Sequence, residues 1–145
     1  MTITLRDASE CDIPAIFDVR TSVTENHLSV AQMAVLGITH ETIRQALRQH
    51  KCIWVAESGG QIVGFAMADI ESASVFAAFV RSEWEGQGIG RRLMQQAESF
   101  LFAHHSLIWL NTAGSSRAAR FYGRLGWVPV QSLPNGEIRF EKHRS

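Results

Sequence analysis

The sequence predicts a mixed α/β domain of the α+β kind: a central, mostly antiparallel sheet of about seven strands with helices on both faces. Three observations point there. Short apolar runs bounded by Gly, Ser, Asn or Pro recur along the chain, as strands do. Segments with apolar residues at helical spacing lie between some of them. The resulting order, β-α-α-β-β-β-α-β-α-β-β, mixes hairpins with helical crossovers.

Residues 3–6 read as a first strand. Ser9 to Asp12 offers a capping-box-like start, and Pro14 suits a first helical turn. Ile13, Ile16, Phe17 and Val23 form a broken helical stripe to about Thr24. Residues 25–38 have no clean period and are expected as a loop with a short helix. Thr39 starts a second helix with Ile43, Ala46 and Leu47 inward, although Thr42 stands where a full capping box has an acid. Residues 53–57 and 62–68 form a hairpin around Ser58-Gly59-Gly60-Gln61. Residues 72–80 make the next strand, and these three are expected in sequence and antiparallel. A long helix to about Ala103 carries Ile89, Leu93, Met94, Ala97 and Leu101 on one face. Residues 107–110 form a strand. A helix over 116–125 ends at Gly126, a suitable C′ residue. Strands at 127–130 and 138–141 close the domain around Pro134-Asn135-Gly136.

With 145 residues, no repeat and no linker-like tract, the chain reads as one domain, 1–145. Hydrophobic residues make up 46% and charged residues 19%, a soluble, globular balance. Fourteen basic and 14 acidic residues give no net charge, so nothing calls for nucleic acid or an anionic membrane. Cys11 and Cys52 lie far apart, without metal-site or disulfide-framework spacing, and a reducing cytoplasm is expected. The first residues alternate as a strand rather than a signal peptide, and no apolar run reaches the ~20 residues of a membrane span. The six histidines show no metal-ligand spacing.

The most informative stretch is Glu85-Gly86-Gln87-Gly88-Ile89-Gly90-Arg91-Arg92, between an apolar strand and a helix. A helix N-terminus leaves backbone N–H groups unpaired and adds a favourable dipole, which together bind phosphate. Glycines let the phosphate approach the backbone closely. A dinucleotide fingerprint would need a third glycine where Arg91 stands, and the Gly-Lys-Ser/Thr of a Walker loop is absent. A glycine turn alone is also compatible with a ligand-free loop.

The segment from Val80 to Leu93 resembles the acyl-CoA-binding motif of the GNAT superfamily of N-acetyltransferases, in which an apolar strand leads into Gln/Arg-x-x-Gly-x-Gly/Ala at a helix start. Ser115-Ser116-Arg117-Ala118-Ala119-Arg120-Phe121-Tyr122-Gly123-Arg124-Leu125-Gly126-Trp127 resembles its downstream motif, usually Asn-x-x-Ala-x-x-Phe/Leu-Tyr-x-x-x-Gly-Phe. The element order matches over nearly the whole chain. Two departures stand out: Glu85 replaces Gln/Arg, and Ser115 replaces Asn. The resemblance implies a sheet splayed between its fourth and fifth strands, with acetyl-CoA as acyl donor. It implies cofactor contacts at Ala78, Phe79, Val80, Gly86, Gln87, Gly88, Ile89, Gly90, Arg91, Arg92, Ser115 and Phe121. It implies that the pantetheine arm pairs with the fourth strand like an added strand, where a backbone N–H can polarise the thioester carbonyl. A homodimer through the closing strands is a further implication.

Tyr122, the single tyrosine, lies on the stripe Ala118, Phe121, Tyr122, Leu125, which by itself describes a core-facing residue. The resemblance adds the role of general acid toward the leaving thiolate. Glu25, Asp69 and Glu71 are candidate general bases. Asn26, His27 and Asn111 are candidate substrate contacts. The cysteines lack the setting of a nucleophile, so direct attack of an amine in a ternary complex is the expected mechanism. The acceptor is then a small-molecule amine, an amino-acid derivative or a protein amine. Two alternatives belong to other classes: a non-catalytic acyl-CoA-binding sensor or regulatory module, and an unrelated binding domain with a merely structural glycine turn.

Overall fold

The computed structural model describes residues 2–23, 28–49, 52–114 and 116–145. The elements run β1 (Thr4–Asp7), α1 (Ile13–Ser22), α2 (Val30–Val35), α3 (His40–Gln49), β2 (Ile53–Ser58), β3 (Gln61–Asp69), β4 (Ser74–Val80), α4 (Ile89–Phe102), β5 (Leu107–Ala113), α5 (Arg117–Arg124), β6 (Val128–Ser132) and β7 (Glu137–His143). The strands form one sheet in the order β1-β2-β3-β4-β5-β7-β6. Every pairing is antiparallel except that of β4 with β5.

Strand alternation divides the core between the two faces of the sheet. On one face, Leu93, Met94, Ala97 and Leu101 of α4 pack with Trp54, Ala56, Val63, Ala66, Ile108 and Leu110, joined by Tyr122, Trp127 and Phe140. On the other, Ile13, Ile16, Phe17 and Val19 of α1 pack with Met33, Ile43, Ile53, Val55, Phe65 and Met67. The central strands β2 and β3 are buried on both faces, which explains why they read as continuous apolar runs.

Local chemistry accounts for the helix starts. Ser29 accepts from the Gln32 N–H at 3.1 Å while the Gln32 side chain accepts from the Ser29 N–H at 2.8 Å, so α2 begins in the segment that lacked a clean period. At α3, Thr42 does the work of the missing acid: its hydroxyl accepts from the Thr39 N–H at 2.9 Å, and the Thr39 hydroxyl accepts from the Thr42 N–H at 3.2 Å. β5 runs to Ala113, three residues past its expected end, because β7 pairs with it along its full length.

The α1 side is anchored by charge. Arg6 on β1 donates to both oxygens of Asp12, at 2.7 and 2.9 Å, and to Glu57 on β2 at 2.9 Å. Asp12 is buried and also accepts from the Ser9 N–H at 2.8 Å. The Arg6 hydrogen bond holds the Asp12 carboxyl below the usual carboxylate range, against a desolvation that pushes the other way. A depressed folded-state value stabilises the fold above the unfolded value of about 4, and that stabilisation is lost as pH falls through the lower, folded-state value. Asp12→Asn should therefore cost about 1.5–3 kcal/mol at neutral pH. It should also flatten the acid limb of stability, as measured by urea unfolding between pH 7 and pH 2.

Candidate functional site

The site begins where β4 and β5 part. Their parallel ladder has a single register pair, Ser74 with Trp109. The Trp109 N–H donates to the Ala73 carbonyl at 3.1 Å, and its indole N–H donates to the Ser72 carbonyl at 2.8 Å. Beyond that clasp the edge of β4 facing β5 has no ladder partner, although β3 pairs the other edge as far as Val80. An unpaired strand edge is a ready template for an extended ligand. The expected splay between the fourth and fifth strands is present. The β3–β4 register shifts so that Met67 faces Ala77 while Ala68 faces Val75, which leaves Phe76 as a bulged residue beside the opening.

The side chains of Ala78 and Val80 pack toward the α4 face and those of Ala77 and Phe79 toward the α1 face. Only backbone is presented along the open edge.

β4 runs into a short 3-10 turn, Ser82–Trp84, and then into the glycine segment. Gly86 and Gly88 have φ of +79° and +81°, conformations that L side chains rarely adopt. A Cβ at either would project into open space, so the loop leaves room for a ligand group against its backbone. Gly88 is the N-cap of α4, and the helical ladder starts with the Arg92 N–H on the Gly88 carbonyl at 3.1 Å. The N–H groups of Ile89, Gly90 and Arg91 therefore precede the ladder. Gly90 has a second use: a Cβ there would lie 3.2 Å from Cζ of Phe121, so its absence lets α5 approach the start of α4.

Glu85, the departure from the motif, is half-exposed and ion-paired with Arg117 of α5 at 2.9 Å. The carboxylate is thereby paired and tied to the neighbouring helix. Reading the sequence could not supply that partner, because nothing local links the two positions.

The other expected residues fall as follows. Ile89 is buried, so only its backbone is available. Gln87 and Arg91 are exposed. Arg92 donates to the Ile3 carbonyl at 3.0 Å, which commits its guanidinium to the β1 side and leaves Arg91 as the adjacent unengaged cation among the described residues. Asn111 is exposed and lies within β5 rather than at its end. Asp69 accepts from the Glu71 N–H at 3.2 Å and the Ser72 hydroxyl at 2.8 Å, which gives it a turn-forming role. Asp69 and Glu71 also line a cleft of about 330 Å³ with Cys52, Met67 and Phe76. Glu25, Asn26, His27 and Ser115 lie outside the described residues. The N-cap of α5 is Ser116, whose hydroxyl accepts from the Ala119 N–H at 3.1 Å.

Tyr122 is 7% exposed, amid the rings of Phe121, Trp127 and Phe140 at 5.4–6.3 Å. Its hydroxyl has no hydrogen-bond partner among the described residues. Burial pushes the phenol up to about 12, so it keeps its proton throughout the neutral range.

The model of the acetyltransferase (GNAT) domain matches residues 49–129, more than half of the chain. This chain belongs to the GNAT acetyltransferase family. Over 88 residues, 57% of this chain, the GNAT domain is 32% identical to an uncharacterized N-acetyltransferase of Methanocaldococcus jannaschii, and it spans just over half of that relative's length, 56%. Its fold is similar to that of an N-acetyltransferase from Staphylococcus aureus, with TM-score 0.80, 18% identity and 99% of each chain covered. It is also similar to the PaiA N-acetyltransferase from Thermoplasma acidophilum in complex with coenzyme A, with TM-score 0.70, 17% identity and coverage of 99% of this chain and 100% of that one. No helix among the described residues is long and apolar enough to cross a membrane.

The Glu85–Arg117 pair makes a prediction that separates it from the glycines. Arg117→Ala should expose the Glu85 charge to an incoming pyrophosphate and raise the dissociation constant of acetyl-CoA roughly threefold, the order of one screened charge contact. Adding Glu85→Gln should restore most of that loss in isothermal titration, and the difference should shrink in ~1 M salt.

Proposed function

We propose that this GNAT domain transfers an acetyl group from acetyl-CoA to a primary amine by direct attack within a ternary complex. The observation that carries this reading is the unpaired edge of β4 running into a glycine loop at a helix N-terminus. Those features suit the two ends of the donor: an extended, amide-bearing arm and a pyrophosphate. The N–H groups from Gly86 to Arg91 would hold the phosphates, aided by the α4 dipole. The β4 edge would pair with the arm. The coenzyme A bound by the PaiA neighbour fits this assignment.

Acetyl-CoA supplies an activated thioester. The chain's own task is to place it, polarise it and hold protons. A β4 amide beside the Phe76 bulge would donate to the carbonyl oxygen as charge gathers there. Tyr122 would keep a proton for the departing thiolate. A phenol near 12 is a weak donor to a thiol of ordinary pKa, about 8.5. Yet the desolvation that lifts the phenol also lifts a thiolate leaving beside it, as it lifts the buried Cys52 thiol. The amine must lose its proton before attack, and Asp69, Glu71 and Glu25 remain the carboxylates considered for that step. Cys52 is buried and raised by desolvation, and Cys11 is exposed with its Sγ 2.9 Å from the Ser9 hydroxyl. Neither has the activated setting of an acyl carrier.

Binding and chemistry are tested together. Acetyl-CoA at ~100 times its dissociation constant should stabilise the fold by about 2.7 kcal/mol in thermal unfolding, and thiol release should follow with at least one amine of a panel. Tyr122→Phe should lower kcat by roughly 10²–10⁴ while leaving the acetyl-CoA dissociation constant within twofold. Stabilisation without thiol release against any amine would favour a sensor module instead.

A further inference from the structure

Arg20 is the residue that the fold and the proposed reaction leave unexplained. It lies on α1, and its guanidinium sits 4.1 Å from the centroid of the Phe79 ring. Its Nη1 is buried without a hydrogen-bond partner, and no carboxylate pairs with it among the described residues. A guanidinium cannot relieve this by losing its proton. Arg20 is half-buried, and that partial desolvation pulls it below its usual range. Stacking on Phe79 satisfies the face of the group and leaves the buried Nη1 unused.

The surroundings show what those donors face. Arg20 lines a small cleft of about 30 Å³ with Ile16, Phe17, Met33, Phe76 and Ala77. Arg20 is the single charge in that apolar lining, and the volume suits a small end group. The cleft adjoins the 330 Å³ one, with Ile38, Ile43, Met67 and Phe76 common to both. Asp69 and Glu71 line the far part. A cation, an apolar middle and two carboxylates therefore follow one another along the α1 face of β4. Phe76 and Phe79 place this groove against the strand assigned above to the acyl donor.

Resting on the acetyltransfer reading, we propose that Arg20 is the carboxylate anchor of the acyl acceptor, and that the acceptor is a small amine whose amino group and carboxylate are separated by an apolar chain. The planar fork of Arg20 matches a carboxylate. The Ile, Phe and Met side chains match the apolar part, and Asp69 and Glu71 complement the ammonium before it is deprotonated. A polybasic tail finds a repulsive charge at Arg20 instead. The pyrophosphate of the donor has its own site at the glycine loop.

The test uses the full chain saturated with coenzyme A. 6-Aminohexanoate and 6-aminohexanamide are titrated by calorimetry, as are 8-aminooctanoate and 8-aminooctanamide. The same pairs are then assayed for thiol release with acetyl-CoA. The acid of at least one pair should bind about tenfold more tightly than its amide. That ratio should fall toward one in Arg20→Gln and partly in Arg20→Lys, with the coenzyme A dissociation constant within twofold of wild type. A purely packing role for Arg20 would not move the acid-to-amide ratio. Equal binding of acid and amide, or binding of neither, overturns the assignment. So does an Arg20→Gln variant that weakens coenzyme A but keeps the ratio. Should either variant fail to fold, the wild-type ratio and the other variant decide. Failure of acetyl-CoA to stabilise the wild-type chain would defeat the acetyltransfer reading itself. Stabilisation and thiol release with amines lacking a carboxylate would defeat only the Arg20 assignment.

Discussion

The parting of β4 from β5 is the constraint on which the rest depends. A sheet buried on both faces ordinarily pairs every backbone group, because an unpaired one costs free energy. Here the ladder closes once, at Ser74 and Trp109, and then stops. Trp109 holds the near end through its own N–H and its indole. Past that point β5 is committed to β7, and the buried Thr112 lies 3.5 Å from the Ser116 hydroxyl at the start of α5. β4 is committed to β3 on its other edge. Each strand is thus satisfied on its outer side and drawn away from the other.

What fills the consequence of that divergence is helix ends. α4 and α5 both start near it, and the missing side chain of Gly90 lets Phe121 close the distance between them. The Glu85–Arg117 pair spans the same junction from outside. A glycine loop, an open strand edge and two helix starts therefore belong to one arrangement rather than to separate motifs. Tyr122 enters this arrangement from α5, held among aromatic rings and kept protonated by burial. The proposed acetyltransfer asks for such a combination: an anchored donor, a polarised carbonyl and a proton at hand for the leaving group.

Much of this was legible in the sequence because it is local. Gly86 and Gly88 are glycines since the chain turns through positive φ there, and the turn could be read from composition. The buried face of α4 follows its period residue by residue. The seven strands and their succession along the chain were also accessible, since apolar runs and turn residues alternate, whereas the insertion of β7 between β5 and β6 was not. What escaped reading depends on contacts distant in sequence. Val19 lay outside the expected α1 stripe, yet it is fully buried because helix and sheet meet on a wider face than Ile13, Ile16, Phe17 and Val23 define. The bulge at Phe76 is invisible in an apolar run that reads the same with or without it. Arg117 as partner of Glu85, Arg92 as a tether to β1, and Arg20 over Phe79 each require the fold to bring remote positions together.

The unpaired β4 edge and the glycine loop are proposed to hold the acyl donor together. Amide hydrogen exchange on the full chain, with and without saturating acetyl-CoA, measures this directly. New protection is expected in residues 76–80 and 86–91, with little change in β1, β2 or β7. Protection elsewhere with those two segments unchanged would contradict it.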